Sequence, residues 1–340
     1  MELHDHEYHA LVVAAVIDET PDTRSFVLDI PSELTSPFAY AAGQFCTFRA
    51  TIDGESVVRC YSMSSSPDTG DPFTTTVKRV DGGRMSNWMI DELAAGDRID
   101  VLRPTGLFVL HDRQAPIVAF AGGSGITPVI SILKTAVATT PRRIHLVYAN
   151  RTADSVIFAE ELERLGAAAD RRLTVHHHLD SDRGFLSSDE CAELVGDDDA
   201  DADFYLCGPG PYMDTVERGL STLGVAADRV FIERFVLPEP ASDDQAPTPT
   251  RSVVIRLERQ ASTVEYVAGD TILDAARRAG LRPPFSCEQG NCATCMAHLD
   301  LGSAAMRVNN ALSPDEVGEG WVLTCQALPT SAEVVVDYDA

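Results

Sequence analysis

Three of the eight cysteines stand within nine residues, as Cys287-Glu-Gln-Gly-Asn-Cys292-Ala-Thr-Cys295, and a fourth, Cys325, follows after a long gap. Thiolates are soft donors that bind iron or zinc, so four at this spacing form a candidate metal-ligand set. C-x4-C-x2-C with a distant fourth Cys is a spacing that lets four thiolates hold two irons in a [2Fe–2S] cluster. A structural zinc ion is the competing reading, although zinc favours paired C-x2-4-C knuckles. Inert buried thiols are a third reading, set against the crowding of these residues. Gly290 permits the positive φ a curled loop needs. Ala293 and Thr294 leave backbone N–H groups free to face sulfur. Leu323 and Ala327 flank Cys325 and keep water away from it.

Two further groups of residues have chemistry in their spacing. In Arg59-Cys60-Tyr61-Ser62, the arginine offers a fork for a phosphate, the tyrosine an aromatic face and the serine a small hydroxyl. Gly82, Gly83 and Ser86 would supply donors to a second phosphate where a helix starts near Met85. Taken singly, an R-x-Y-S is more often an ordinary edge strand. Downstream, Ala121-Gly122-Gly123-Ser124-Gly125-Ile126-Thr127-Pro128 follows an apolar strand. Its glycines admit a pyrophosphate close to the backbone, with Thr127 expected as N-cap and Pro128 as first helical residue. Cys207-Gly208-Pro209-Gly210-Pro211 repeats the strand-to-helix pattern, and the two turns should meet at the carboxyl edge of one sheet. Cys207 also reads as a small core residue, as do Cys46, Cys60 and Cys191. His176-His177-His178 is a poor metal site, because neighbours on a strand point to opposite faces.

Three zones must position these residues. Residues 8–112 hold short β-type runs at 10–17, 24–29, 44–51, 56–62, 74–79 and 98–102, separated by turn residues, which predicts an antiparallel barrel. From Pro116 strands at 117–121, 144–149, 173–178, 203–206 and 230–233 alternate with helices near 128–138, 155–165, 187–194 and 211–223. That alternation predicts a doubly wound parallel sheet. The acidic stretch GDDDADAD at 196–203 reads as a solvated loop. Residues 237–251, rich in Pro, Ala and Asp, read as a linker of about 20 Å r.m.s. span. The third zone predicts strands at 253–257, 264–267, 321–326 and 333–337, with a helix from Ile272 capped by Thr271. The expected domains are therefore 1–112, 113–236 and 252–340, joined by the linker 237–251.

Composition limits the functions available. The 340 residues carry 44% apolar and 23% charged side chains, ordinary for globular protein. With 52 acidic against 27 basic residues, the net charge of −25 argues against nucleic-acid and anionic-membrane binding. Residues 115–133 lack charge but hold Gly122, Gly123, Gly125 and Pro128, which would break a membrane helix. The N-terminus has neither the basic region nor the apolar run of a signal peptide. The chain therefore reads as cytoplasmic, with reduced thiols, and as a monomer.

Taken in order, these motifs resemble the ferredoxin-NADP reductase superfamily with a C-terminal plant-type ferredoxin domain, and the likeness covers essentially the whole chain. It implies a multidomain fold: an antiparallel β-barrel for FAD, a doubly wound α/β nicotinamide domain and an α+β β-grasp ferredoxin. It implies that Cys287, Cys292, Cys295 and Cys325 ligate the cluster. It gives Arg59 the flavin phosphates, Tyr61 the isoalloxazine face and Ser62 the neighbourhood of N5, with Cys60 between them. Val77, Lys78 and Arg79 match the strand beside the flavin, and Gly83, Met85 and Ser86 the pyrophosphate turn, which implies FAD. Gly122, Gly123, Gly125, Thr127 and Gly208 fall to NAD(P)H. Thr127 and Cys207 line the hydride-transfer site, and Glu233 and Phe235 cover the flavin.

Arg151 is the single candidate for a 2′-phosphate, so NADH is expected over NADPH. The implied electron path runs from NADH through FAD and the cluster to a terminal oxygenase. The phrases RCYSMSSSP, YANRTADSVIF and VLTCQALP resemble reductases of Rieske-type steroid 9α-hydroxylases; reductases of di-iron epoxidases acting on phenylacetyl-CoA are the near alternative. A redox-sensing module finds no output domain here, and a self-sufficient oxygenase finds no C-x-H or E-x-x-H element. Residues 253–340 carry twelve acidic and six basic side chains, a net of −6, which suits docking to a basic partner. Glu288 stands where many plant-type ferredoxins have a basic residue, so partner recognition is expected to differ.

Overall fold

The computed structural model describes residues 8–196, 199, 201–235, 252–290, 292–309 and 311–340. The linker expected at 237–251 lies outside them. The described residues fall into two compact units, divided between residue 235 and residue 252.

The first unit opens with strands β1 (His9–Thr20), β2 (Thr23–Asp29), β3 (Phe45–Ile52), β4 (Glu55–Ser62) and β5 (Thr74–Lys78). Helix α1 (Arg84–Glu92) and strand β6 (Arg98–Val101) follow. All pairings are antiparallel, in the order β4-β3-β6-β1-β2-β5. The bridge Met63–Thr75 brings the two edge strands together and closes a barrel. Closure removes the unpaired edges a sheet would otherwise expose. Alternate residues point inward, and Leu11, Val13, Phe26, Leu28 and Phe48 fill the interior.

The same unit continues as β7 (Ile117–Gly122), α2 (Ile126–Thr139), β8 (Ile144–Asn150), α3 (Ala159–Ala168), β9 (Leu173–Leu179) and α4 (Asp180–Arg183). It ends with α5 (Ser188–Leu194), β10 (Asp203–Gly208), α6 (Gly210–Thr222) and β11 (Val230–Arg234). The five strands are parallel, ordered β11-β10-β7-β8-β9. β7 and β10 are buried along their whole length, as expected of central strands covered on both faces. One apolar cluster packs α2 and α3 on one face, and a second packs α5 and α6 on the other. This is the doubly wound architecture. The uncharged stretch 115–133 divides between β7, a glycine turn and α2, and no helix among the described residues is long and apolar enough to cross a membrane.

The second unit comprises β12 (Ser252–Leu257), β13 (Gln260–Glu265), α7 (Ile272–Arg278), β14 (Met296–Leu301) and β15 (Ala304–Met306). After these come α8 (Pro314–Gly318), β16 (Trp321–Leu323), β17 (Ala327–Pro329) and β18 (Glu333–Asp337). Its mixed sheet runs β13-β12-β18-β14-β16 with α7 packed on one face, the β-grasp arrangement. Thr271 caps α7 through a reciprocal box with Asp274, as its sequence predicts. β13 lies earlier than the expected 264–267, because Glu258 and Arg259 both take positive φ and turn the hairpin at once.

The acidic stretch at 196–203 does not end as a solvated loop. Asp203 opens β10 and its carboxylate is buried. Arg142, equally buried, donates to it at 2.6 Å, and Arg113 donates at 2.8 Å. Arg142 also donates to the carbonyls of Ala115 and His111. The segment leaving the barrel is thus fixed to the parallel sheet by a desolvated charge pair. Removing one partner of such a pair strands the other, at about 3–5 kcal/mol. Arg142→Met should therefore lower the stability of this unit by about 3 kcal/mol. Urea denaturation on a Trp321→Phe background, where Trp88 alone reports, measures it.

Candidate functional site

Four cysteines of the second unit gather from a loop and the turn after β16. All are buried: Cys287, Cys292, Cys295 and Cys325. They associate in two pairs. The Cys287 side chain hydrogen-bonds Cys292, and that of Cys295 hydrogen-bonds Cys325. With Cys287 beside it, the Cys292 thiol is pulled down to about 6. Among the described residues no three His, Cys, Asp or Glu side chains converge on one point. Two thiolates for each of two irons fit this pairing.

The loop is shaped to admit sulfur from every side. Glu288, Gly290 and Ala293 take positive φ. At Gly290 a Cβ would lie 2.7 Å from the Val308 carbonyl oxygen, so only glycine fits. The Gln289 amide donates to Cys287 Sγ at 3.4 Å, and Gln326 Nε2 approaches Cys325 Sγ at 3.7 Å. Leu323 and Ala327 are fully buried around Cys325. Glu288, expected to alter partner recognition, is held internally: Arg277 of α7 grips its carboxylate with two bonds, 2.7 and 3.0 Å, while stacking on Phe285. The sequence shows the acidic residue but not the arginine eleven positions earlier that neutralises it.

In the first unit, β4 delivers Arg59, Cys60, Tyr61 and Ser62 to the barrel closure. Ser62 is 2% exposed, and its hydroxyl has no hydrogen-bond partner among the described residues. A buried hydroxyl without a partner costs free energy unless a ligand satisfies it, which fits a flavin edge there. Arg59 donates to the Val58 carbonyl at 2.7 Å and forms no ion pair among the described residues, so its fork is available to phosphate. Tyr61 packs edge-on against Phe48, with ring centroids 5.7 Å apart. Cys60 lies 3.4 Å from the Thr47 hydroxyl.

Other residues of the expected flavin set have different surroundings. Val77 and Met85 are in the barrel core, because strand alternation and the buried face of α1 turn them inward. Arg79 forms a two-bond pair with Asp91, and Lys78 faces Asp22. Ser86 accepts from the Val80 amide, and a Cβ on Gly83 would lie 2.5 Å from its oxygen. The Ser86 hydroxyl therefore ties the turn, and the backbone N–H groups opening α1 are the donors left for phosphate.

The two glycine turns of the parallel sheet touch. A Cβ on Gly125 would lie 2.1 Å from the Cys207 carbonyl oxygen, and one on Gly208 would lie 3.1 Å from the Gly122 nitrogen. α2 begins at Ile126 with Gly125 as N-cap, because a 3-10 turn at Gly123–Gly125 brings the chain into helical geometry early. Thr127 is thus inside the helix, not its cap, and donates to the Ser124 carbonyl at 3.0 Å. Cys207 is fully buried, which holds its thiol well above the ordinary range, and Glu233 stands opposite it in register. Glu233 is buried, whereas Phe235 is 46% exposed.

Three residues that sequence reasoning passed over complete this edge. Asn150 ends β8 with its side-chain amide buried, beside the Tyr148 hydroxyl. The Tyr212 hydroxyl is buried with no partner among the described residues, and its ring lies beside Gly122 and Gly208. Asp180, at the end of β9, forms no ion pair among the described residues and lies within electrostatic reach of Tyr212. Their signal was position at the carboxyl edge of a doubly wound sheet: Asn150 ends β8, Asp180 directly follows β9 and Tyr212 lies in the first turn of α6. Arg151, largely exposed, pairs with Asp22 of the barrel at 3.3 Å. In the histidine run, the His178 ring bonds the Gly184 carbonyl at 2.8 Å.

Comparison with known proteins agrees with this construction. Residues 10–110 match the oxidoreductase FAD-binding domain family, residues 120–218 the oxidoreductase NAD-binding domain family, and residues 255–330 the 2Fe-2S iron-sulfur cluster binding domain family. The chain is 38% identical to a 3-ketosteroid-9-alpha-monooxygenase ferredoxin reductase component from Rhodococcus rhodochrous, covering 96% of each. It is 34% identical to one of the proteins that make up 1,2-phenylacetyl-CoA epoxidase in Escherichia coli, covering 98% of each. Among solved structures, phthalate dioxygenase reductase superposes with a TM-score of 0.62 at 27% identity, over 97% of this chain and 98% of that one. The chain is therefore an oxidoreductase that binds FAD, NAD and a 2Fe-2S cluster, and it belongs to the family of ferredoxin reductase components that serve monooxygenase systems.

Proposed function

We propose that this chain takes electrons from NADH and passes them singly to the Rieske-type terminal oxygenase of a steroid 9α-hydroxylase. The end-to-end likeness to the Rhodococcus protein carries that reading. Residues 1–112 form its FAD module, 113–236 its nucleotide module and 252–340 its ferredoxin, with 237–251 as tether. Electron supply to a di-iron epoxidase is the second reading, and the Escherichia coli relative favours it.

When bound, FAD supplies the conversion of a hydride into single electrons, and the iron–sulfur group carries them one at a time. The chain itself does the holding and shielding. Arg59 balances phosphate charge, Tyr61 covers the ring and the Ser62 hydroxyl gains its missing partner from the flavin edge. Cys287, Cys292, Cys295 and Cys325 hold the cluster. The Cys207 thiol stays protonated through burial, so it packs the nicotinamide side without acting as a nucleophile. Asp22 balances part of the Arg151 charge, while the Asp180 carboxylate suits a ribose diol. Arg256, Arg277 and Arg278 of the ferredoxin are spent on internal carboxylates. The net charge of −6 over residues 253–340 gives an acidic outward field, which favours a basic oxygenase surface and weakens with salt.

Reconstitution decides between the acceptors: product should form with a steroid-hydroxylating Rieske oxygenase and not with a phenylacetyl-CoA epoxidase, and the reverse result removes the steroid reading. Cys292→Ser should abolish cluster absorbance and oxygenase support while NADH reduction of artificial dyes persists; an equal fall in dye reduction counts against a stepwise path. Steady-state kcat/KM should favour NADH over NADPH by at least about tenfold, or 1.4 kcal/mol, and Asp180→Ser should narrow the ratio by improving NADPH. Equal use of both nucleotides by the parent protein would refute the NADH assignment.

A further inference from the structure

α2 is apolar and almost wholly buried, yet one stripe along it is polar. Thr127, Ser131, Lys134 and Thr135 follow the spacing i, i+4, i+7, i+8, which places them on a single helix face. Thr127 is at the end expected to meet the nicotinamide. The other three engage the segment that directly continues from Ser62: Met63, Ser64, Ser65 and Ser66.

The contacts are dense and mostly buried. Ser131 Oγ donates to the Ser65 carbonyl at 2.6 Å and accepts from the Gly43 amide at 3.2 Å. Thr135 and Ser66 share a hydroxyl–hydroxyl bond of 2.6 Å. Lys134 Nζ donates to the Ser64 carbonyl at 3.3 Å and pairs with Asp71 at 3.0 Å and Glu161 at 3.5 Å. From behind, Ser64 bonds Thr76 of β5 and Ser65 bonds the Tyr40 hydroxyl, each at 2.7 Å. Close approach at Gly43 is essential to this packing, since a Cβ there would lie 2.2 Å from the Phe108 carbonyl oxygen and 3.0 Å from Ile132.

An apolar contact would bury the same surface but could slide, whereas directional bonds hold one register. The register matters because of the short lever. Ser131 is one helical turn, about 6 Å, from Thr127, and Ser64 is two residues beyond Ser62. Any shift between α2 and the serine segment therefore changes the separation of Thr127 from Ser62 almost directly. Hydride transfer depends steeply on that separation, and a misplacement near 1 Å can cost about a hundredfold.

We propose that Ser64–Ser66 together with Ser131, Lys134 and Thr135 form a clasp that sets the nicotinamide-to-flavin distance, with Lys134 as its charged positioning residue. This rests on the reading that NADH reduces FAD in this unit. Stopped-flow reduction of the FAD- and cluster-loaded protein tests it, comparing the parent with Lys134→Met, Lys134→Arg and the double variant Ser131→Ala/Thr135→Val. In Lys134→Met and the double variant the limiting rate of flavin bleaching should fall about tenfold or more, with the NADH Kd within about twofold. The primary isotope effect with deuterated NADH should change, and Lys134→Arg should recover the parent's rate.

Flavin-to-cluster transfer after photoreduction should match the parent in every variant, and FAD content and thermal midpoint show that each is folded. Folded variants with the parent's limiting rate and isotope effect would overturn the clasp, as would a loss expressed only as weaker NADH binding. A Lys134→Met protein that does not fold leaves the double variant to decide by the same criteria. Failure of NADH to bleach even the parent would instead sink the functional reading on which the clasp depends.

Discussion

The constraint on which the nucleotide site depends is the approach of two backbones at the carboxyl edge of the parallel sheet. The turns after β7 and β10 come so close that a single Cβ on Gly125 would overlap the Cys207 carbonyl. Neither turn can then carry a side chain at the contact, and the surface they form is made of peptide groups. Peptide N–H groups bind phosphate without a charged side chain, and they remain in place when no ligand is bound. The strand order explains why these two turns are neighbours: β7 and β10 are adjacent although more than eighty residues separate them. Asn150, Tyr212 and Asp180 gain their meaning from this edge, as polar groups brought beside backbone turns whose N–H groups can receive an anion.

The motifs show where chemistry happens more readily than how each side chain takes part. The C-x4-C-x2-C spacing located the cluster loop because its ligands are close in sequence and their number is unusual. The pairing of Cys287 with Cys292 and of Cys295 with Cys325 needed three dimensions. Strand and helix boundaries were legible from periodicity, with small shifts at ends such as β13. Val77 and Met85 show the limit on the flavin side. Their segment belongs beside the site, but the period of two along β5 and the inward face of α1 send these side chains to the core. The charged residues were the least legible. Arg151 finds Asp22, 129 positions earlier, and Arg142 finds Asp203 across the sheet. A carboxylate that distant leaves no mark in a local motif.

Charge in this chain divides accordingly into an inner and an outer part. Most described arginines are consumed in pairs that fix one element to another: Arg113 and Arg142 on Asp203, Arg234 on α6, Arg277 on Glu288. Each such pair cancels one acid with one base, so the net charge of −25 is unchanged and is carried by the carboxylates outside these pairs. Glu288 illustrates the distinction. From its position alone it looks like a docking contact beside the cluster, yet its carboxylate faces an arginine fork. Partner recognition must then be carried by carboxylates that have no such internal arginine.

The hydroxyl-rich phrase from Ser62 to Ser66 unites the flavin side with the nucleotide side. Its sequence pattern assigns Ser62 a flavin role and leaves the following serines without one. In the structure the same short run faces two ways. Ser62 holds a buried hydroxyl with no partner among the described residues, while Ser64, Ser65 and Ser66 are fully engaged with β5, Tyr40 and α2. A group meant for a ligand has to stay unsatisfied until the ligand arrives, and that costs free energy in a buried site. Such a residue keeps its aim only when its neighbours are over-determined. The contrast between one open serine and three engaged ones fits a division of labour, in which the bonded residues hold the backbone still and the proposed flavin contact is left to Ser62.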